Sequence, residues 1–209
     1  MTQHPFIGER VLKRAIPKAA FQRFKVRSVR GIDDFQQVVA IRAVVYMGEQ
    51  ACPYDEEYDG NDLCASHFLV FDGKHAVGTL RIRWFAGFAK LERITLLPSH
   101  RATKALHVLL AEAFEIVARK GYRKMIGQIQ ARLWPLWSRT FDCKLLEQRE
   151  GFSFSDYDYR EIVIFVPPHP RAIQLDDDPY VMIRPEGEWD VPGVLDASAE
   201  RDQQQDHAA

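Results

Sequence analysis

The sequence predicts an α/β fold around a mixed central sheet, with an antiparallel meander joined through one long helix to a parallel strand. Three observations carry this. The apolar run Leu91–Leu97 is followed by Pro98-Ser99-His100-Arg101, then by Leu106, Leu109, Leu110, Ala113, Phe114 and Val117 at the spacing of one buried helix face. His107, Glu112, Glu115 and Arg119 lie off that face. Upstream, His67–Phe71 and Ala76–Trp84 flank Asp72-Gly73-Lys74-His75, a hairpin signal. Downstream of Gly121, Lys124–Ile129 reads as a strand, and a strand reached through a helix is expected to lie parallel to its predecessor by a right-handed crossover.

Taken in order, residues 1–22 are basic and read either as a loose arm or as a short amphipathic helix broken by Pro17. Phe24–Val29 alternates apolar and polar residues, as a half-buried strand does. Gly31-Ile32-Asp33-Asp34 opens an Asp-capped helix through Tyr46, with Phe35, Val38, Val39, Arg42 and Val45 marking its spacing. The acidic stretch Gly48–Leu63 carries Tyr54 and Tyr58 among its carboxylates; it reads as a surface loop or as a site for a cationic amine. Two strands follow, and Gly87 turns the chain into a third, completing the meander. Ser99 is the expected cap of the long helix, which should begin near His100 or Arg101, beyond the strand's carboxyl end, where unpaired amides favour an anion. Leu133–Phe141 reads as a short helix with Pro135 in its first turn, and Lys144–Glu147 and Tyr159–Val166 as a last pair of strands. Pro167-Pro168-His169-Pro170 closes the compact part; Tyr180-Val181-Met182-Ile183 either packs on the domain or extends an edge, and beyond residue 197 disorder is expected.

A chain of 209 residues, 46% of them apolar, suffices for one core and is short for two domains. The expected division is a basic arm at 1–22, a domain at 23–167 and an acidic extension at 168–209. A net charge of −1 gives no global field for nucleic acid. Cys52, Cys64 and Cys143 are an odd set without CxxC spacing, so neither a disulfide framework nor a metal site is expected, and a reducing cytoplasm fits best. No apolar run approaches a membrane span.

Residues as well as element order resemble the GNAT superfamily of acyl-coenzyme A dependent N-acyltransferases. Glu49-Gln50-Ala51-Cys52-Pro53-Tyr54-Asp55-Glu56 and Asp59-Gly60-Asn61-Asp62 resemble the EQ-x-C-P-Y-x-E and D-G-x-D run of one group of small bacterial acetyltransferases. Val77–Arg81 is similar to the family's third strand, and Arg93–Arg101 to its fourth strand and turn. The resemblance covers about 24–166 and implies a three-layer fold with helices on both faces of the sheet. It implies that Ile94, Thr95 and Leu96 bind the pantetheine arm of acetyl- or another acyl-coenzyme A as if it were a strand. It also implies that the turn Arg101, Ala102, Thr103, Lys104, Ala105 and Leu106 binds the pyrophosphate, and that Glu49, Tyr54 and Asp59 shape the amine pocket.

The chain departs from the family in two places. Lys104 and Leu106 stand where the family turn has small residues, which let backbone amides approach a phosphate. Trp137 stands where a tyrosine often protonates the leaving thiolate, and an indole N–H cannot do acid work. Aminolysis of a thioester needs a proton acceptor, and Glu92 is the candidate base, the alternative being a partner for Arg93 or Arg101 or an outward strand residue; Gln130 could orient substrate or water or be a plain strand-end amide. The expected activity is therefore acyl transfer from acyl-coenzyme A, most simply acetyl, to a small primary amine, with no metal. Two alternatives stand beside it: an acyl carrier protein as donor, as in acyl-homoserine-lactone and N-acyl amino acid synthases, and a non-catalytic binding module of the same fold. A homodimer is left open.

Overall fold

The helix Ala105–Arg119 lies across one side of a mixed sheet because its apolar face, from Ala105 through Leu109, Leu110 and Phe114 to Val117, is buried along its length. The shorter helix Ile32–Arg42 covers the other side. The computed structural model describes residues 6–146, 151–154 and 157–198. In chain order the elements are α1 (Ile7–Arg10), α2 (Lys18–Arg23), β1 (Phe24–Ser28), α3 (Ile32–Arg42), continued by a π-helical segment Ala43–Glu49, then α4 (Tyr54–Glu57). The meander β2 (Ser66–Asp72), β3 (His75–Phe85) and β4 (Phe88–Leu96) leads to α5 (Ala105–Arg119), β5 (Lys124–Gln130) and α6 (Trp134–Thr140). The remainder is β6 (Cys143–Leu145), β7 (Phe152–Phe154), β8 (Tyr157–Phe165) and α7 (Pro179–Ile183).

The strands form one sheet in the order β1-β2-β3-β4-β5-β8-β6, with β7 paired to β8. All pairings are antiparallel except β4 with β5, the expected crossover. Alternation along β2 shows the three layers directly. Phe68 and Val70 pack with α5 in the larger core, whereas Leu69 and Phe71 pack with Val38 and Ile41 of α3.

Several boundaries differ from the sequence expectation. Gly31, in extended backbone, precedes α3; Asp33 and Asp34 lie inside its first turn, where the helix dipole favours them, and Asp34 pairs with Arg27. Residues 7–23 do not form a free arm: Ile7, Val11, Leu12, Ile16 and Ala20 are buried, Leu12 bridges to Phe141, and Gly8 lies so close to α5 that a Cβ would fall 1.8 Å from the Ala111 carbonyl oxygen. Tyr180–Ile183 belongs to the short helix α7, capped by Asp178, and not to an edge strand. The expectation for the stretch beyond 197 falls, from 199 onward, outside the described residues, as does the end of the strand expected at 144–147.

The carboxy-terminal segment straps across α5 and β1. His169 Nε2 meets Glu115 Oε1 at 2.8 Å, Arg119 binds the Arg171 carbonyl and Asp190, and Lys120 binds Glu186. Burial, reinforced by Glu115 and partly offset by Lys25, pushes the Glu112 carboxyl beside this strap up to about 7 from an ordinary 4.5. A group raised in the folded state binds its proton more tightly there than in the unfolded chain, so its contribution to stability falls as pH rises from about 4.5 to about 7 and stays low above. Glu112→Gln should therefore be more stable than the parent at pH 8, by up to about 3 kcal/mol, and indistinguishable near pH 4. Denaturant unfolding across that range checks it; parallel pH profiles for both proteins would contradict the burial of this carboxyl.

Candidate active site

β4 and β5 are paired only at Ala89↔Met125, Lys90↔Ile126 and Leu91↔Gly127. Past Leu91 no strand lies beside that edge of β4 among the described residues. The cause is local. Arg81 faces Glu92 and Thr79 faces Thr95, so Leu80 opposes both Arg93 and Ile94, a bulge whose Arg93 takes φ 49°. An extra residue in one strand bends it and increases its twist, here away from β5. A left-handed backbone at a non-glycine residue is strained and persists only where surroundings hold it. Arg93 is held by its own side chain, which donates to the Glu56 and Glu57 carbonyls (2.6 and 3.3 Å) and reaches Asp59 Oδ2 at 3.3 Å and Glu57 Oε2 at 3.2 Å.

The divergence opens a cleft of about 470 Å³ lined by Glu49, Gln50, Ile94, Thr95, Leu96, Arg101, Gln130, Leu133, Trp137, Tyr157 and others. A second lobe of about 290 Å³ is lined by Cys52, Glu56, Glu57, Asp59, Lys90 and Phe154. Tyr46, Gln50, Leu91, Glu92, Arg93, Gln128 and Tyr159 line both, so the lobes meet where β4 leaves β5. The π-helical turns after α3 bring Tyr46 to this junction, where its hydroxyl donates to the Ile94 carbonyl at 3.0 Å. Burial pushes that phenol's pKa up.

Beneath the second lobe lies an ion network that the sequence reading did not find. Arg42, wholly buried, binds Glu57 and Asp62; Arg81, also buried, binds Asp59 (2.7 Å), Asp62 (2.8 Å) and Glu92 (2.8 Å). Burial works to raise the Asp59 and Asp62 carboxyls, but hydrogen bonds from Arg81, joined by the Asn61 N–H at Asp59 and Arg42 at Asp62, carry both below their ordinary range. At Glu57 burial wins over Arg42 and Arg93, and its carboxyl is raised. The available signal was an arginine on the apolar spacing of α3 and another inside β3, because a guanidinium enters a core only with its carboxylates.

The candidate residues fall unequally. Glu92 lies at the junction, its carboxylate engaged by Arg81 and by Lys90 Nζ at 2.6 Å. Gln130 lines the first lobe; its Nε2 donates to Gln50 at 3.3 Å, while its buried Oε1 has no hydrogen-bond partner among the described residues. Ile94, Thr95 and Leu96 line the cleft as expected. Glu49 sits at its rim, paired with Arg101 at 2.7 Å. Asp59 lines the second lobe bound to arginines and not as a lone anion. Tyr54 is exposed, packs on Tyr58, and lines neither lobe.

The turn into α5 corrects the expectation most. The helix starts at Ala105, not near His100 or Arg101, because Pro98–His100 forms a 3-10 turn with His100 N bonded to the Leu97 carbonyl and Thr103 N to the His100 carbonyl. Ser99 does not cap it; Ser99 Oγ meets His100 Nδ1, and Thr103 Oγ1 accepts from Ala105 N at 3.2 Å. Of this turn only Arg101 reaches the cleft, whereas Ala102, Thr103, Lys104, Ala105 and Leu106 do not line it. Leu106 packs on the core, and Trp137, buried against Phe141, forms a wall of the cleft without filling it.

No group of three or more His, Cys, Asp or Glu side chains suited to a metal occurs among the described residues, and no described helix is long and apolar enough to cross a membrane. The chain is 31% identical over 99 residues to YjcF of Bacillus subtilis, a protein named an uncharacterised N-acetyltransferase; the match spans 47% of this chain and 71% of that one. Among solved structures it superposes on an acyl-CoA N-acyltransferase from Pseudomonas aeruginosa with a TM-score of 0.60 at 19% identity, covering 67% of this chain and 98% of that one. It also superposes on FeeM, an N-acyl amino acid synthase from uncultured soil microbes, with a TM-score of 0.59 at 13% identity, covering 69% and 91%. No protein-family model matches the chain.

Removing one partner from a buried ion network leaves an uncompensated charge. Arg42→Met should destabilise the fold by about 3–5 kcal/mol in denaturant unfolding. A loss below about 1 kcal/mol would contradict the burial of this network.

Proposed function

The chain belongs to the GNAT superfamily of N-acyltransferases, and from that premise we propose that it moves an acyl group, most simply acetyl, from acyl-coenzyme A to a primary amine by direct attack on the thioester. The observation that carries this reading is the open edge of β4 past Leu91, facing a cleft whose inner wall holds Gln130 Oε1 without a hydrogen-bond partner among the described residues. An unpaired strand edge and a buried orphan acceptor both favour an amide-bearing arm such as pantetheine, which can continue the sheet where β5 leaves it.

In this reading Ile94, Thr95 and Leu96 hold the arm by backbone bonds, Gln130 orients it, and the acyl group lies at the junction of the lobes. Arg101 meets the donor where the arm leaves the cleft. The acceptor enters by the second lobe, past the wall at Asp59, while Glu49 stands at the rim of the first lobe. Its nitrogen attacks the carbonyl carbon, the carbon–sulfur bond breaks, the nitrogen gives up one proton and the thiolate takes one. Glu92, held by Arg81 and Lys90, receives the amine proton through water. Tyr159, which lines both lobes, supplies the thiolate proton that Trp137 cannot.

A carrier-borne thioester is the second reading of the donor. It is favoured by the turn at 101–106, where Thr103 occupies the first helical amide and Lys104 stands in place of a small residue.

Calorimetric titration with acetyl-coenzyme A, a long-chain acyl-coenzyme A and acylated carrier protein tests the proposal. Saturable binding of a thioester is expected, and thiol release with a panel of primary amines should fall about 100-fold or more in kcat/KM for Glu92→Gln while donor affinity stays unchanged. No binding of any thioester would overturn the function, and a fully active Glu92→Gln would overturn the role of Glu92.

A further inference from the structure

The second lobe of the cleft has a floor of matched charges and a wall of uncovered ring. Glu57 is bound by Arg42 and Arg93, Asp59 by Arg81 and Arg93, and Glu92 by Arg81 and Lys90. Glu56, which lines the same lobe, is not free either. An ammonium entering the lobe therefore meets no carboxylate without a partner of its own among the described residues, and a second ammonium on the same molecule would crowd Lys90 and Arg93. The rings are placed differently. Tyr46 already lies against the Arg93 guanidinium at 5.8 Å, and Phe152 stacks on Tyr159 at 6.2 Å. Phe154 meets Tyr159 edge to face at 5.3 Å, yet it stays half exposed where it lines the lobe.

β7 sets this arrangement. Phe152 and Phe154 stand two residues apart on one face of the strand, and the register Phe152↔Tyr159 and Phe154↔Tyr157 lays them beside the end of β8 that reaches the cleft. Ser153, between them, binds Asp158 at 3.0 Å. A half-exposed phenyl at a lobe of about 290 Å³ is apolar area that a ligand removes from water, and so small a volume suits one ring on a short linker. Attack on a thioester needs the neutral amine, and a lobe with no unmatched carboxylate does not hold the ammonium form, so affinity has to come from the body of the acceptor. We infer that the acceptor is an arylalkyl amine, one primary amine on a short chain ending in a ring, and that Phe154 selects the ring. The inference rests on the transferase reading and narrows its acceptor. The nitrogen bonds to the acyl carbon as the carbon–sulfur bond breaks, its proton passing through water to Glu92 while the thiolate takes one from Tyr159. Amines of several charges are disfavoured by the same floor.

The test measures thiol release with 2-phenylethylamine, propylamine and spermidine, using whichever of acetyl-coenzyme A and acylated carrier protein the parent binds. The parent is compared with Phe154→Ala, whose replaced ring is half exposed and whose melting should match the parent. The parent should use 2-phenylethylamine with a kcat/KM about tenfold or more above that for propylamine, and spermidine no better than propylamine. In the variant the advantage of the ring should shrink about tenfold, through the KM of the amine, with the KM of the donor unchanged. A parent that favours spermidine, or that treats 2-phenylethylamine and propylamine alike, overturns the arylalkyl assignment, and a variant that keeps the parent's ratio overturns the role of Phe154. A parent that binds the thioester and acylates none of the three amines overturns this inference and leaves the donor reading standing. A parent that binds no thioester removes both. Phe154→Leu, which keeps an apolar strand residue without the ring, should show the same loss and serves as the independent variant should Phe154→Ala fail to fold.

Discussion

The parallel ladder between β4 and β5 ends at Leu91 because Arg93 adopts a left-handed backbone, and the cleft, its open strand edge and the meeting of its lobes all follow from that residue. Non-glycine residues avoid this region on steric grounds, so something else must hold the chain there. The Arg93 side chain does so by reaching back to the Glu56 and Glu57 carbonyls and the carboxylates of Glu57 and Asp59. The acidic segment thus acts first as a clamp on β4.

That clamp is itself supported from below. Arg42 and Arg81 could not enter the core without Glu57, Asp59, Asp62 and Glu92, and the carboxylates could not be buried without them. Such a network adds little net stability compared with apolar packing, but it fixes where α4, β3 and β4 lie relative to one another. The acidic residues that could have drawn in an amine are largely occupied by arginines. In the proposed transfer, recognition of an acceptor would therefore depend on the shape of the second lobe and on the groups at the junction, Gln50, Gln128 and Tyr159, more than on a bare negative charge.

Much of the architecture was legible because it rests on periodicity. The stripe from Leu106 to Val117 gave α5, the hairpin signal Asp72-Gly73-Lys74-His75 gave the strands on either side of it, and the helix before Lys124 gave the parallel crossover. Other features depend on tertiary contacts and leave weak local marks. Nothing in Glu92-Arg93-Ile94 announces a positive φ, since arginine has no preference for it. Ser99 looked like the cap, yet Pro98 tightens a 3-10 turn and passes that work to Thr103. The basic start of the chain read as a loose arm or a short broken helix because Arg10, Lys13, Arg14 and Lys18 interrupt its apolar residues, but Gly8 permits α1 to lie directly on α5, where those apolar residues are buried. Within the site, Ile94, Thr95, Leu96, Glu92 and Gln130 line the cleft and Tyr54 does not, while Tyr46, Gln50 and Tyr159 line it without having been singled out, because distant elements bring them in.

An acyl-thioester transferase of this design needs the edge of β4 past Leu91 to be open in the free protein and taken up by the donor. Amide hydrogen exchange across 92–97, with and without saturating acetyl-coenzyme A, reads this directly. Faster exchange in this stretch than at Ala89–Leu91 in the free protein, with strong protection on adding the thioester, is the predicted result. Uniform protection along the whole of β4 before any ligand is added, or bound thioester that leaves this stretch unchanged, would contradict it.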